Sequence, residues 1–226
     1  MNQFTPIDQL RDRVRRITGL PSRPPTQPVP FDIPDIDLRL PARGLARGGI
    51  HELSGDIGSA TSFLAAFLGR EKAIRQVIWV TGSAGPSPLG LSQLGLDHRR
   101  LTVIQARHHD DQLWATEEAL RELGYGAVVA EIDKVDLTES RRLQLAAESS
   151  GAIGFLLRRD RSPIASLTRW HIEPARSHDC LPRWQLSLTR ARGAEANGTW
   201  TLGWDYAAFH FNLVASMAGR SAEAAE

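Results

Sequence analysis

Four short, continuous apolar runs punctuate the middle of the chain: "QVIWVT" (76–81), "LTVIQA" (101–106), "AVVAEI" (127–132) and "AIGFLL" (152–157). None alternates polar with apolar residues. Such runs suit strands buried on both faces, as in a parallel sheet covered by helices. The segments between them have helical patterns. In "DQLWATEEALREL", Leu113, Leu120 and Leu123 share a face and Glu117–Arg121 is a favourable i,i+4 pair, with Asp110 or Asp111 as N-cap. Thr138 is placed to cap "ESRRLQLAAES". Strands alternating with helices predict a doubly wound α/β sheet.

The flanks follow different rules. Residues 7–18 place Ile7, Leu10, Val14 and Ile17 on one helical stripe, with Arg11, Arg13, Arg15 and Arg16 on the other faces. Prolines at 21, 24, 25, 28, 30 and 34 then predict a stiff, extended linker outside the core. After residue 163 the period becomes two. Trp184, Leu186 and Leu188 share one face, as do Trp200, Leu202 and Trp204, and "GAEANG" is a turn signal between them. This predicts an antiparallel extension of the sheet. "AAFHFNLVASMAG" reads as a last helix packed on the core, before a polar tail. The expected organisation is a basic helix (1–19), a linker (20–41), one core domain (42–218) and a tail (219–226).

The balance of 27 basic against 26 acidic residues makes no global electrostatic case for nucleic acid or an anionic membrane. Lys72 and Lys134 are the only lysines, an arginine bias read as genomic base composition. The single cysteine, Cys180, permits no intrachain disulfide. No stretch approaches the ~18 apolar residues of a membrane span, and no signal-peptide core is evident. A cytoplasmic protein is expected. The seven histidines lack metal-ligand spacing: His108 and His109 are adjacent, and His178 with Cys180 closes no set. No metal site is expected.

One stretch raises a sharper question. "GGIHELSGDIGSATS" (48–62) places a β-compatible run, a small-residue segment and a helix in the order that carries a phosphate-binding P-loop, G-x-x-x-x-G-K-[ST]. Gly55 and Ser62 occupy the first and last positions. Ala60 stands where the second Gly belongs and Thr61 where the Lys belongs. A Lys–phosphate bond is worth about 1.5–3 kcal/mol, so its loss weakens binding roughly ten- to a hundredfold. The favoured reading is a helix-entry turn with Ser59 as cap, weighed against an anion nest that keeps Ser62 for a metal ion.

In this register the chain resembles the RecA-like branch of P-loop NTPases. "WVTGSAGPSPLGLSQLGLD" (79–97) follows the RecA pattern without a gap, with Pro88, Leu94, Gly95 and Asp97 coinciding. The resemblance puts the water-activating glutamate at Ser83 and the adenine-stacking aromatic at Gly90. The acidic end of the Walker B strand falls at Glu131, where Asp is usual. A missing general base removes roughly 10²–10⁴ in rate. The resemblance thus implies a RecA-like P-loop NTPase core whose nucleotide site (Gly55, Ser59, Thr61, Ser62, Ser83, Glu131) is degenerate. Its sheet is mostly parallel and flanked by helices, with an antiparallel C-terminal extension. No catalytic residue and no cofactor are expected, weak ATP binding being the one open case. Where RecA has mobile DNA-binding loops, this chain has a helix within 132–150 and the short "RRDRSPI" (158–164). Arg158, Arg159 and Arg161 are candidates there for phosphate contact, against a solvated loop.

From about 40 to 205 the chain resembles the ImuA family more closely. "GGIHEL" (48–53), "LWATEEALR" (113–121), "VDLTESRRLQLAAE" (135–148), "TRWHIEP" (168–174) and "PRWQLSLTRARG" (182–193) carry the likeness. It implies a non-enzymatic adaptor of SOS mutagenesis and translesion DNA synthesis. The implied partners are RecA, an inactive Y-family-like polymerase subunit and an error-prone replicative-type polymerase, with DNA contacted indirectly. Exposed candidates for docking are Arg11, Arg15 and Arg16 on the N-terminal helix and Arg141 and Arg142 on the 138–150 helix. Two other readings are a working RecA-like ATPase, with Arg70 or Lys72 replacing the lost Lys, and a cell-division inhibitor of the SulA type.

Overall fold

The computed structural model describes residues 27–122, 126–160, 162–177 and 181–214 of the chain. The candidates Arg11, Arg15, Arg16 and Arg161 lie outside these residues, as do the 1–19 helix and the 219–226 tail.

In chain order the elements are α1 (Pro34–Asp37), β1 (Gly49–Gly55), α2 (Ile57–Arg70), β2 (Val77–Thr81), α3 (Pro88–Gln93), β3 (Leu101–Gln105), α4 (His109–Glu122), β4 (Ala127–Glu131), α5 (Leu137–Ser150), β5 (Ile153–Leu157), β6 (Thr168–Pro174), β7 (Arg183–Ala191), β8 (Gly198–Asp205) and β9 (His210–Leu213). The strands form one sheet in the order β3-β2-β4-β5-β1-β6-β7-β8-β9. From β3 to β6 every pairing is parallel, and from β6 to β9 every pairing is antiparallel. All four apolar runs are strands.

The sheet separates two cores. On one face, α2 and α3 pack with Trp79, Val129, Phe155 and the inward residues of β6–β8. On the other, α4 and α5 pack against Ile50, Val80, Val128 and Leu156. The period-two reading holds: Trp184, Leu186, Leu188, Trp200, Leu202 and Trp204 are all buried on the α2 side.

Several local expectations are corrected. β3 is an edge strand, so Thr102 and Val103 are exposed rather than buried on both faces. Helix α4 begins at His109, which places Asp110 and Asp111 inside its first turn, favourable for the helix dipole but not caps. Helix α5 is capped by Asp136, not Thr138. The Asp136 carboxylate accepts from the Glu139 N–H at 2.7 Å and Glu139 reaches back to the Asp136 N–H at 2.8 Å, a full capping box. Residues 210–213 form strand β9 and not a helix, because Phe211 alternates into the core between exposed neighbours.

The segment read as a linker contributes to the core: Val29, Phe31, Ile33, Ile36 and Leu40 are buried in the α2-side cluster, Phe31 against Phe67 and Trp170, between exposed or partly exposed neighbours. Here proline spacing marked a rigid path along the core rather than a path through solvent.

Candidate functional site

Strand β1 runs to Gly55 and helix α2 starts at Ile57, so Asp56 alone joins them. The residues of a P-loop would form an open cradle of N–H groups. Here Gly55 ends β1, Asp56 is the cap, and positions 57–62 are wound into the first turns of α2. Asp56 caps the helix, its carboxylate accepting from the Ser59 N–H at 2.7 Å. Ser59 is therefore the capped residue and not the cap. Hydrogen bonding from Ser59 holds the Asp56 carboxyl below the usual carboxylate range. A negative charge of the chain itself thus sits where a phosphate would meet the helix N-terminus.

Both residues that match the motif have packing roles. Gly55 has φ +103°, and a Cβ there would lie 2.2 Å from the Ile172 carbonyl oxygen on β6, so no other residue fits. The Ser62 hydroxyl donates to the Ser59 carbonyl at 3.0 Å and accepts from the Trp184 indole N–H at 2.9 Å. Ser62 faces the antiparallel extension. Ala60, at the second glycine position, is fully buried, and Thr61 is partly exposed on the helix.

Glu131 ends β4 as the register requires, with both oxygens engaged. Oε1 accepts from the Trp79 indole at 2.7 Å and Oε2 from the Thr81 hydroxyl at 2.9 Å. Since Thr81 gives its proton to Glu131, the Ser83 hydroxyl, 3.2 Å away, donates to Thr81. Ser83, Thr81 and Glu131 form a hydrogen-bonded chain, with Glu131 partly exposed and Ser83 exposed at the end of β2 and β4.

Neither proposed stand-in for the lost lysine reaches this end of α2. Arg70 ends the helix, nine residues beyond Thr61, about 13 Å along the axis. Its guanidinium pairs with Asp32 and stacks over Phe67 at 5.1 Å and Phe211 at 5.5 Å. Lys72 lies beyond the helix end.

The loop after β5 also departs from its reading. Arg158 is fully buried. It donates to Glu52 Oε1 at 3.0 Å, to the Ser162 carbonyl at 3.1 Å and to the Ser162 hydroxyl at 2.9 Å, and bridges Asp160 at 3.2 Å. Glu52, also buried, receives Arg169 on its second oxygen at 2.7 Å. This cluster ties β1, β5 and β6 together and removes Arg158 from any phosphate-contacting surface. Arg159 remains exposed, 3.3 Å from Asp133.

An open cleft of about 590 Å³ lies at the carboxyl ends of β2, β4 and β5. It brings together Ser83, Glu131 and Arg159, but not Gly55, Ser59, Thr61 or Ser62. It also gathers Arg107, Lys134 and Asp133, which the sequence reading missed because they follow strand ends with no motif spacing. Farther away, Arg141 is exposed on α5, while Arg142 pairs with the buried Glu117 of α4, which Arg121 also holds. Among the described residues no group of three or more His, Cys, Asp or Glu could hold a metal ion, and no helix is long and apolar enough to cross a membrane.

No family model matches the chain. Protein ImuA from two strains of Caulobacter vibrioides is 35% identical over 235 aligned positions, covering 91% of this chain and 96% of that protein. The cell division inhibitor SulA of Edwardsiella piscicida is 26% identical over 92 residues, 41% of this chain. Among solved structures, the RadB recombinase superposes with a TM-score of 0.59 at 14% identity, covering 76% of this chain and 93% of RadB. The fold is therefore RecA-like.

Proposed function

Because the chain belongs to the ImuA family, we propose that it acts in damage-induced mutagenesis as a non-catalytic adaptor of translesion DNA synthesis. The observation that carries this reading is the winding of Gly55–Ser62 into strand end, cap and helix, with Asp56 in the phosphate position and Ser62 committed to Trp184. Phosphoryl transfer depends on positioned charge around the phosphates. The lysine is absent, each oxygen of Glu131 is held by Trp79 or Thr81, and Ser83 stands where the resemblance puts a base. What remains useful is surface. The proposed partners are RecA, a catalytically inactive Y-family-like polymerase subunit and an error-prone replicative-type polymerase, met in the cytoplasm. Arg11, Arg15, Arg16 and Arg141 are the proposed contacts, with DNA met through the partners.

The test uses the purified full chain. Mg–ATP turnover is expected at background, and co-purification with RecA or the polymerase-like subunit is expected to be the same with and without nucleotide. Turnover abolished by Ser62→Ala would sink the reading. If Arg11, Arg15 and Arg16→Glu together retained every partner, the N-terminal arm would leave the account. Inhibition of division-protein polymerisation would instead favour the SulA-type role suggested by the 92-residue match.

A further inference from the structure

The cleft described above has a position set by topology. The connection leaving β2 crosses the sheet on the α2/α3 face, and the connection leaving β4 crosses on the α4/α5 face. β2 and β4 are neighbours, so their chains part at the carboxyl end and open a crevice between them. In open α/β sheets this switch point is where ligands bind. The crevice outlasts the loss of a phosphate cradle because it depends on strand order and not on Gly55–Ser62.

Its chemistry is specific. Three cations reach it from three separate connections: Arg107 after β3, Lys134 after β4 and Arg159 after β5. Arg159 is engaged by Asp133 at 3.3 Å, whereas Arg107 and Lys134 have no hydrogen-bond or ion-pair partner among the described residues. Glu131 is turned inward to Trp79 and Thr81, so its charge is partly satisfied within the protein. Partly exposed Ile57, backed by the buried Leu157, supplies an apolar wall. Among the described residues no Phe, Tyr or Trp lines the cleft, and the one imidazole there, His109, is hydrogen-bonded to Glu139 at 3.2 Å, so a nucleobase meets no large aromatic face. The two lining carboxylates, Glu131 and Asp133, oppose a polyphosphate more than they oppose a single carboxylate.

From this pattern we infer that the cleft docks an acidic–apolar peptide segment of a partner protein, a carboxylate set between Arg107 and Lys134 and an apolar side chain against Ile57. The inference rests on the adaptor reading and assigns one of its docking surfaces to a crevice that enzymes of this architecture give to small ligands.

The experiment measures fluorescence polarisation of a labelled peptide of alternating leucine and glutamate against the full chain. Mg–ATP and a short oligothymidylate serve as separate competitors. Saturable binding is expected, weakening as salt rises. The Arg107→Glu, Lys134→Glu double variant should lose about tenfold or more in affinity. A control, Lys72→Glu with Arg75→Glu, makes the same change in net charge at the opposite end of β2 and should lose little. Absence of saturable binding overturns the inference, as does equal loss in both double variants. Competition by ATP or oligothymidylate that disappears in the Arg107, Lys134 variant would assign the cleft to phosphates instead. None of these results touches the turnover measurement, so the cleft assignment can fail while the adaptor reading stands.

Discussion

Restoring the missing motif residues should not restore nucleotide binding. The perturbation is Ala60→Gly with Thr61→Lys, which rewrites Gly55–Ser62 as a complete P-loop sequence. To cradle a phosphate, the first turns of α2 must open. Opening loses the Asp56–Ser59 cap, about 1 kcal/mol. It breaks the Ser62–Trp184 bond and leaves the indole N–H of a buried Trp184 unpaired, about 1–3 kcal/mol. The new glycine returns about 1 kcal/mol of this by weakening the helix. The remaining cost of about 1–3 kcal/mol offsets the 1.5–3 kcal/mol that the lysine would gain from phosphate. Asp56 adds repulsion on top. Equilibrium titration with a fluorescent ATP analogue should find the double variant within a few-fold of the parent. An affinity gain above tenfold, or Mg-dependent turnover, would mean that the helical turn is a resting form of a working loop, and the reasoning would be refuted.

Three further outcomes follow from buried groups. Burial lowers the pKa of His51 from 6.5 to about 4, since the ring is enclosed between Thr168 and the Ala46 carbonyl. The unfolded chain therefore binds this proton more readily, and stability should fall by about 3 kcal/mol as pH drops from 6.5 to 4. Urea midpoints across that window, compared with His51→Gln, check it; an equal slope in both proteins would exclude His51 as the source. Glu52→Ala removes one of the two carboxylates on the buried Arg158, leaving Asp160 and Ser162, and releases Arg169. It should cost about 1.5–3 kcal/mol in denaturant unfolding; a loss under about 0.5 kcal/mol would show that the cluster is solvated. Trp184→Phe keeps the aromatic packing on Phe63 and Phe211 but removes the bond to Ser62, and should cost about 1–2 kcal/mol in thermal unfolding without raising ATP affinity.

The parallel core was legible because its strands carry no competing pattern. Val77–Thr81 and Ile153–Leu157 are apolar on both faces, and only a covered sheet accommodates that. The extension was legible for the opposite reason, since Trp184, Leu186 and Leu188 alternate with Gln185 and Ser187. Errors arose where local chemistry offered two answers. Thr138 and Asp136 both cap helices, and only Asp136 has a Glu three residues on. Pro28, Pro30 and Pro34 read as a linker outside the core, yet Phe31, Ile33 and Ile36 are buried in the α2-side cluster. Arg158 and Arg159 look alike in sequence. The alternation of β5 carries Arg158 inward to Glu52 and Arg159 outward to Asp133, a distinction that needs the position of β1.

The site was only half legible, and the reason lies in what its motif residues touch. Gly55 and Ser62 match the phosphate-binding pattern, and each is explained without a phosphate: Gly55 by the Ile172 carbonyl at its Cβ position, Ser62 by the Trp184 indole. Motif residues that survive the loss of a ligand can do so because packing has come to depend on them. Their presence is then no measure of remaining activity. The cleft behaves in the reverse manner. Arg107, Lys134 and Arg159 match no spacing rule, yet strand order brings them to one rim because each follows the carboxyl end of a parallel strand. In a fold of this kind the crevice at the switch point comes from the order of the strands, while the catalytic loop comes from the residues between them. Ala60 and Thr61 alter the second without touching the first.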